Sequence, residues 1–258
     1  MAMTAEHGGP DALGTPRFDF STNSNSLGPC PQALAAVQQA DATVYPDPQY
    51  TALRAQLAAL VWGLQKASAA DAGLLWGCEP SSPLGQNHAG LVALVDGLRV
   101  AQQLVLDCAY APLRLEDAPS LGAAQMDRLW QLYTPNKALG LTGIRAAYAI
   151  APLGADTAPL QALCPSWPVG AHGVALLQVW CSPASQQWLA QSLPTLRVWK
   201  ARQMDLLTSL GWVCLPSDAN FFCARPAVGD VPLMLHTLRG QGIKLRDTTS
   251  FGLPGLVR

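Results

Sequence analysis

Three short apolar runs constrain this chain more than any other feature: "AGLLWGC" ending at Cys78, "QLVL" ending at Leu106 and "RLWQLY" ending at Tyr133. Each is bounded and short, and each gives way to polar residues: Glu79 after the first, Asp107 and Tyr110 after the second, Thr134 and Lys137 after the third. The stretches between them have helical composition, "NHAGLVALVDGLRVAQ" most clearly. Strand, helix, strand in succession predicts an α/β fold with a mostly parallel sheet. Ligands of such sheets sit beyond the carboxyl ends of the strands, which is where these polar residues gather.

The remaining segments read differently. "STNSNSLGPCP" is a turn-dense arm leading into the helix "PQALAAVQQA", and "TALRAQLAALVWGLQ" repeats leucine at helical spacing through Leu53, Leu57 and Leu60. Beyond about residue 151 comes a long helical segment, "SQQWLAQSLPTLRVWKARQMDLLTSLG", which Pro194 is expected to break or kink. Then "WVCLP", "NFFCARP", "IKLRD" and "GLVR" read as short strands around the helix "PLMLHTLRGQG". The division expected is an arm and first helix at 1–44, a large domain at 45–150, and an interdomain helix with a small α+β domain at 151–258.

Charge and cysteine usage narrow the partners. A net charge of −1 without a run of Lys or Arg gives no footprint for nucleic acid or an anionic membrane, so a small molecule is the expected partner. Seven scattered cysteines without a CxxC pair argue against a disulfide framework, and they and four unpaired histidines offer no metal site. "MAMTAEHGGPDALG" lacks a basic region followed by an apolar stretch, and no apolar run reaches the length of a span, which predicts a cytoplasmic protein.

Within "YTPNKALGLTGIRAAY" one lysine and one arginine stand eight residues apart among apolar residues and glycines. Lys137 is either a solvated turn residue or a desolvated amine able to form an imine with an aldehyde. Arg145 either pairs with a carboxylate or, with the Thr134 hydroxyl, grips a phosphate group. Asp107 either caps the following helix or holds a ring nitrogen protonated, with Tyr110 reaching the same ring.

Asp107 and Tyr110, followed by Thr134, Lys137 and Arg145, resemble the cofactor residues of the fold-type I pyridoxal phosphate enzymes of the class I/II aminotransferase family. The resemblance implies a three-layer large domain, pyridoxal 5'-phosphate as cofactor, Lys137 as its covalent anchor, Asp107 at the pyridine nitrogen, and Tyr110 at the ring hydroxyl. Thr134 and Arg145 fall on the phosphate ligands. "YPDPQYTALRAQLA" resembles the segment whose tyrosine, Tyr45, reaches the phosphate in the neighbouring subunit, implying a homodimer. "NFFCARP" and "GLPGLVR" resemble the segments that supply Asn220 and the carboxylate-clamping Arg258.

"HGG" at His7, followed by "FDFSTNSNSLGP" with Asn25, resembles the branch that decarboxylates L-threonine O-3-phosphate to (R)-1-amino-2-propanol phosphate in cobalamin biosynthesis. The branch that transaminates histidinol phosphate is the alternative, and a non-catalytic member is a third reading. His7 and Asn25 would then join Arg258 and Asn220 around a phosphorylated amino acid. Two departures stand out. "EPSSPLG" replaces an Asn-Pro-rich motif, so Ser82 occupies the place of an asparagine at the ring hydroxyl. Ahead of "WGLQKASAADAGLLWGC" the family's long block with a glycine-rich turn, further strands and a stacking aromatic is missing, which leaves apolar strand edges open.

Overall fold

A computed structural model describes residues 13–41, 52–53, 74–99, 102–164 and 168–258. The expected helix "TALRAQLAALVWGLQ" lies almost wholly outside the described residues; Leu53 within it is buried. The three apolar runs form strands. After the short arm strand β1 (Phe18–Phe20) and helix α1 (Pro31–Gln38) come β2 (Leu74–Cys78), helix α2 (Leu91–Asp96), β3 (Gln103–Asp107), helix α3 (Ala123–Met126), β4 (Trp130–Tyr133) and β5 (Tyr148–Ile150). Strands β2, β3 and β4 run parallel in that order, and β5 adds an antiparallel edge. Cys78 lies opposite Asp107, and Asp107 opposite Leu132, so the three carboxyl ends are level.

Two cores hold this arrangement. Leu91 and Val95 of α2 pack against Leu104 and Leu106 of β3, closed by Leu121 and Leu129. On the other side, Ala33 and Val37 of α1 meet Leu139 of the segment after β4 and residues of two later helices, α5 (Ala171–Trp180) and α6 (Pro183–Ser209). Between β5 and α5 lies the short helix α4 (Ala158–Ala162). Fully burying such leucines is worth ~2 kcal/mol each, so the segment after β4 is pinned by its own apolar residues.

Pro194 does not break α6, which is continuous over its 27 residues. The proline removes one backbone hydrogen bond, but Leu189 and Leu196 are buried on either side of it, and their packing holds the helix together. The Ser182 hydroxyl accepts from the Ser185 amide at the start of the helix, 3.2 Å away.

The C-terminal part is built from β6 (Val213–Cys214), β7 (Ala224–Arg225), helix α7 (Val231–Gly240) and β8 (Ile243–Leu245). "GLVR" forms isolated bridges from Val257 to Ala224 and Asp247 instead of a strand. Strand β1 of the arm pairs in parallel with β8, Phe18 opposite Ile243 and Phe20 opposite Leu245. The arm is thereby tied to the C-terminal strand β8. None of the described helices is long and apolar enough to cross a membrane, and the described residues contain no group of potential metal ligands.

Candidate active site

Lys137 follows β4 in a turn that Pro135 opens: the Leu139 amide donates to the Pro135 carbonyl at 2.9 Å and that of Leu141 to the Asn136 carbonyl at 2.8 Å. Gly140, with φ of +68°, lets the turn reverse, and a side chain there would collide with the Gly28 carbonyl. Gly143 has no such constraint; a Cβ added there would meet nothing. The lysine is half-buried, and its amine lies 5.1 Å from the centre of the Tyr110 ring. Burial lowers its proton affinity below the usual lysine value, Asp107 partly restores it, and Arg145 and Arg258 lower it further. Asp107, Lys137, Arg145 and Arg258 therefore share one electrostatic neighbourhood.

Asp107 ends β3, with one carboxylate oxygen accepting from the Ala109 amide at 2.9 Å. Tyr110 packs edge-on against Phe221, ring centres 4.8 Å apart, and its hydroxyl accepts from the Asn23 carboxamide at 3.3 Å. Cys78, opposite Asp107, has its thiol pushed up to about 12 by burial, then by Asp107, so it stays protonated at neutral pH. It does not compete with Lys137 as a nucleophile.

Arg258 lies over Phe221, 5.3 Å from the ring centre, and donates to Ser82 Oγ and the Ser21 carbonyl, each at 3.3 Å. Its Nε is buried without a partner among the described residues, and burial lowers the proton affinity of the guanidinium. Arg246 is its neighbour across a two-residue backbone ladder: the Arg246 amide donates to the Arg258 carbonyl at 3.1 Å, and the Arg258 amide donates back at 2.9 Å. Arg246 is 8% exposed, stacks on Phe251, donates to Ser250 Oγ, and has a buried Nη1 without a partner among the described residues. Two adjacent guanidiniums with unused N–H groups can take an anion with several oxygens. Asn220 donates to the Ser24 carbonyl at 3.1 Å, while its Oδ1 is buried without a described partner. A cavity of about 490 Å³ has Arg258 and Asn220 on its wall and is otherwise lined by the arm, by α6 and by the C-terminal strands, without Lys137.

Other expected residues have different surroundings. Thr134 Oγ1 is 2.8 Å from both the Ala146 carbonyl and Asn136 Oδ1, so its single proton already has acceptors within the turn. Arg145 is exposed and forms no ion pair among the described residues. Asn25, expected beside the substrate, is 2% exposed; its Oδ1 accepts from the Leu27 amide and its Nδ2 donates to the Ala138 carbonyl. Its carboxamide is thus spent on backbone. His7 and Tyr45 lie outside the described residues.

Sequence reasoning missed Arg246, Asn23 and a buried ion network. Arg114 pairs with Glu79 at 3.1 Å and Asp218 at 3.5 Å, and donates to Asn87 Oδ1 at 2.6 Å. This joins the segment after β2, which carries Ser82, to the 218–221 segment, which carries Asn220 and Phe221. The charged residues of "IKLRD" and "PSDANFF" were the available signal, but nothing local says what they face.

The sequence profile described as aminotransferase class I and II matches residues 59–258. Histidinol-phosphate aminotransferase of Haloquadratum walsbyi is 28% identical over 190 residues, 73% of this chain and 48% of that protein. The chain thus spans about half the length of the curated relatives it matches. Among solved structures, histidinol-phosphate aminotransferase from Sinorhizobium meliloti, in complex with pyridoxal-5'-phosphate, superimposes with a TM-score of 0.77 at 19% identity, covering 94% of this chain and 87% of that one. L-threonine-O-3-phosphate decarboxylase from Porphyromonas gingivalis gives 0.69 at 19% identity, covering 92% of each.

Proposed function

Since the chain belongs to the aminotransferase class I and II family, we propose that it is a pyridoxal phosphate-dependent aminotransferase acting on a phosphorylated amino substrate such as histidinol phosphate. The observation that carries this reading is the gathering of Lys137, Asp107 and Tyr110 at level strand ends, with Arg258 coupled to the same lysine. The opening residues point first to decarboxylation of threonine phosphate. The curated relatives favour the transaminase reading, since the Haloquadratum walsbyi protein and others like it are named as histidinol-phosphate aminotransferases.

The residues present suit the cofactor chemically. An amine kept below its usual proton affinity suits an aldehyde, and a carboxylate within its field suits a pyridine nitrogen. Bound there, pyridoxal phosphate supplies an aldehyde for Lys137 and a ring that takes up electron density from the substrate α-carbon. Asp107 would keep the ring nitrogen protonated, and Tyr110, oriented by Asn23, would face the ring hydroxyl together with Ser82. Arg145, with Tyr45 from a second subunit of a homodimer, would hold the cofactor phosphate, and Thr134 would join them by turning its hydroxyl proton away from the Ala146 carbonyl. Lys137 Nζ, once free, would carry the α-proton. Arg258 and Arg246 would bind the anionic ends of the substrate, and Asn220 would close that side.

Incubation with pyridoxal phosphate followed by borohydride should leave one pyridoxyl label on Lys137, absent from Lys137→Ala. In a separate, unreduced sample loaded with pyridoxal phosphate, histidinol phosphate with 2-oxoglutarate should yield glutamate. Carbon dioxide released from threonine phosphate without 2-oxoglutarate, and no glutamate, would favour the decarboxylase instead. No label under saturating cofactor would leave the non-catalytic reading.

A further inference from the structure

Three consecutive carbonyls of the lysine turn are met by the arm. The Asn25 amide donates to the Lys137 carbonyl at 2.9 Å, the Asn25 carboxamide to the Ala138 carbonyl at 3.2 Å, and the Cys30 amide to the Leu139 carbonyl at 2.9 Å. Ala138 and Leu139 are fully buried, so water is a poor substitute for these donors. The same carboxamide fixes the arm itself, its Oδ1 accepting from the Leu27 amide at 3.0 Å while the Gly28 amide donates to the Asn25 carbonyl at 3.2 Å. One 2%-exposed side chain thus shapes the arm with one end and grips the lysine turn with the other.

We propose that Asn25 is a positioning residue for Lys137: by keying the arm segment 25–30 onto the turn 137–140, it determines where the lysine amine stands at the sheet edge. The proposal rests on reading Lys137 as the amine that meets the cofactor, but its test needs no cofactor. Asn25→Ser keeps a hydroxyl acceptor for the Leu27 amide, is too short to reach the Ala138 carbonyl and adds no charge beside Lys137, so it removes the grip and spares the arm.

In the cofactor-free chain, lysine acetylation by acetic anhydride is followed against pH by peptide mass spectrometry. Loosening the turn relieves burial, so the midpoint for Lys137 should rise by roughly half a pH unit or more in Asn25→Ser. The curves of Lys200 and Lys244 should stay in place. An unmoved Lys137 curve overturns the proposal. Should all lysines shift together, marking loss of fold, hydrogen exchange of the wild-type chain decides: the Asn25 and Cys30 amides should exchange as slowly as those of the β3–β4 ladder, and exchange at the rate of an open peptide overturns the proposal. A missing pyridoxyl label beside a shifted Lys137 curve would sink the cofactor reading and leave the positioning role intact.

Discussion

Burial and Asp107 act on the Lys137 amine in opposite directions, and Asp107→Asn separates them. Removing the carboxylate removes the influence that favours the proton, so the acetylation midpoint of Lys137 should move to lower pH. An unmoved midpoint would mean that the carboxylate does not act on this amine. Next to Arg258, Arg246→Ala removes a buried guanidinium with an unused N–H. If it binds substrate phosphate, KM for a phosphorylated amine should rise roughly 10- to 100-fold, the worth of a hydrogen bond between charged groups, and KM for the dephosphorylated amine should hardly move. Equal changes for both substrates would remove Arg246 from phosphate recognition. The placement of Asp107, Tyr110 and Lys137 at the strand ends was legible in the sequence because each follows an apolar strand run, where the fold class itself locates ligands. Arg246 and Asn23 were not, because their meaning comes from partners far along the chain: Asn23 reaches Tyr110 across 87 residues.

Among the elements, the short strands and their carboxyl ends follow from apolar runs, whereas the joints between elements do not. Pro194 reads as a break by local rules, yet α6 continues because tertiary packing outweighs one lost backbone bond. The Arg114 network is another such joint, linking the segment after β2 to residues 217–219 through partners 35 and 104 positions away in sequence. Replacing Arg114 by Ala leaves the largely buried Glu79 and Asp218 carboxylates facing each other without a cation. Stability in denaturant unfolding should fall by about 3–5 kcal/mol, the usual effect of breaking a buried ion pair from one side. A loss below about 1 kcal/mol would class the network with surface pairs. The arm and the lysine turn meet most closely at Gly140, where positive φ and the nearness of the Gly28 carbonyl both exclude a side chain. Gly140→Ala should therefore destabilise by about 2 kcal/mol or more, measured the same way, whereas at Gly143, which has open space and no positive φ, alanine should be close to neutral.

For the molecule as a whole, the missing sequence block predicted strand edges left open, and the sheet shows where one of them is. Strand β2 is hydrogen-bonded to β3 on one side and to no other described strand on its outer side. Leu74 and Trp76 on this strand are 64% and 60% exposed. An edge with unpaired backbone groups and exposed apolar side chains is a template for another chain, and nothing charged within "LLWGC" opposes such pairing. The same edge leaves the interior intact, since Leu104, Leu106, Leu91 and Val95 pack on β3 and α2 without help from Trp76. Association and stability should therefore respond independently to substitution there. Sedimentation velocity over a range of concentrations should show wild-type mass growing beyond a dimer, and Trp76→Lys should suppress that growth by placing a charge on the edge. The unfolding free energy of the variant should stay within about 0.5 kcal/mol of wild type, as for a surface position. Growth that is unchanged in Trp76→Lys would move the associating surface elsewhere, and a large loss of stability would mean that Trp76 belongs to the core.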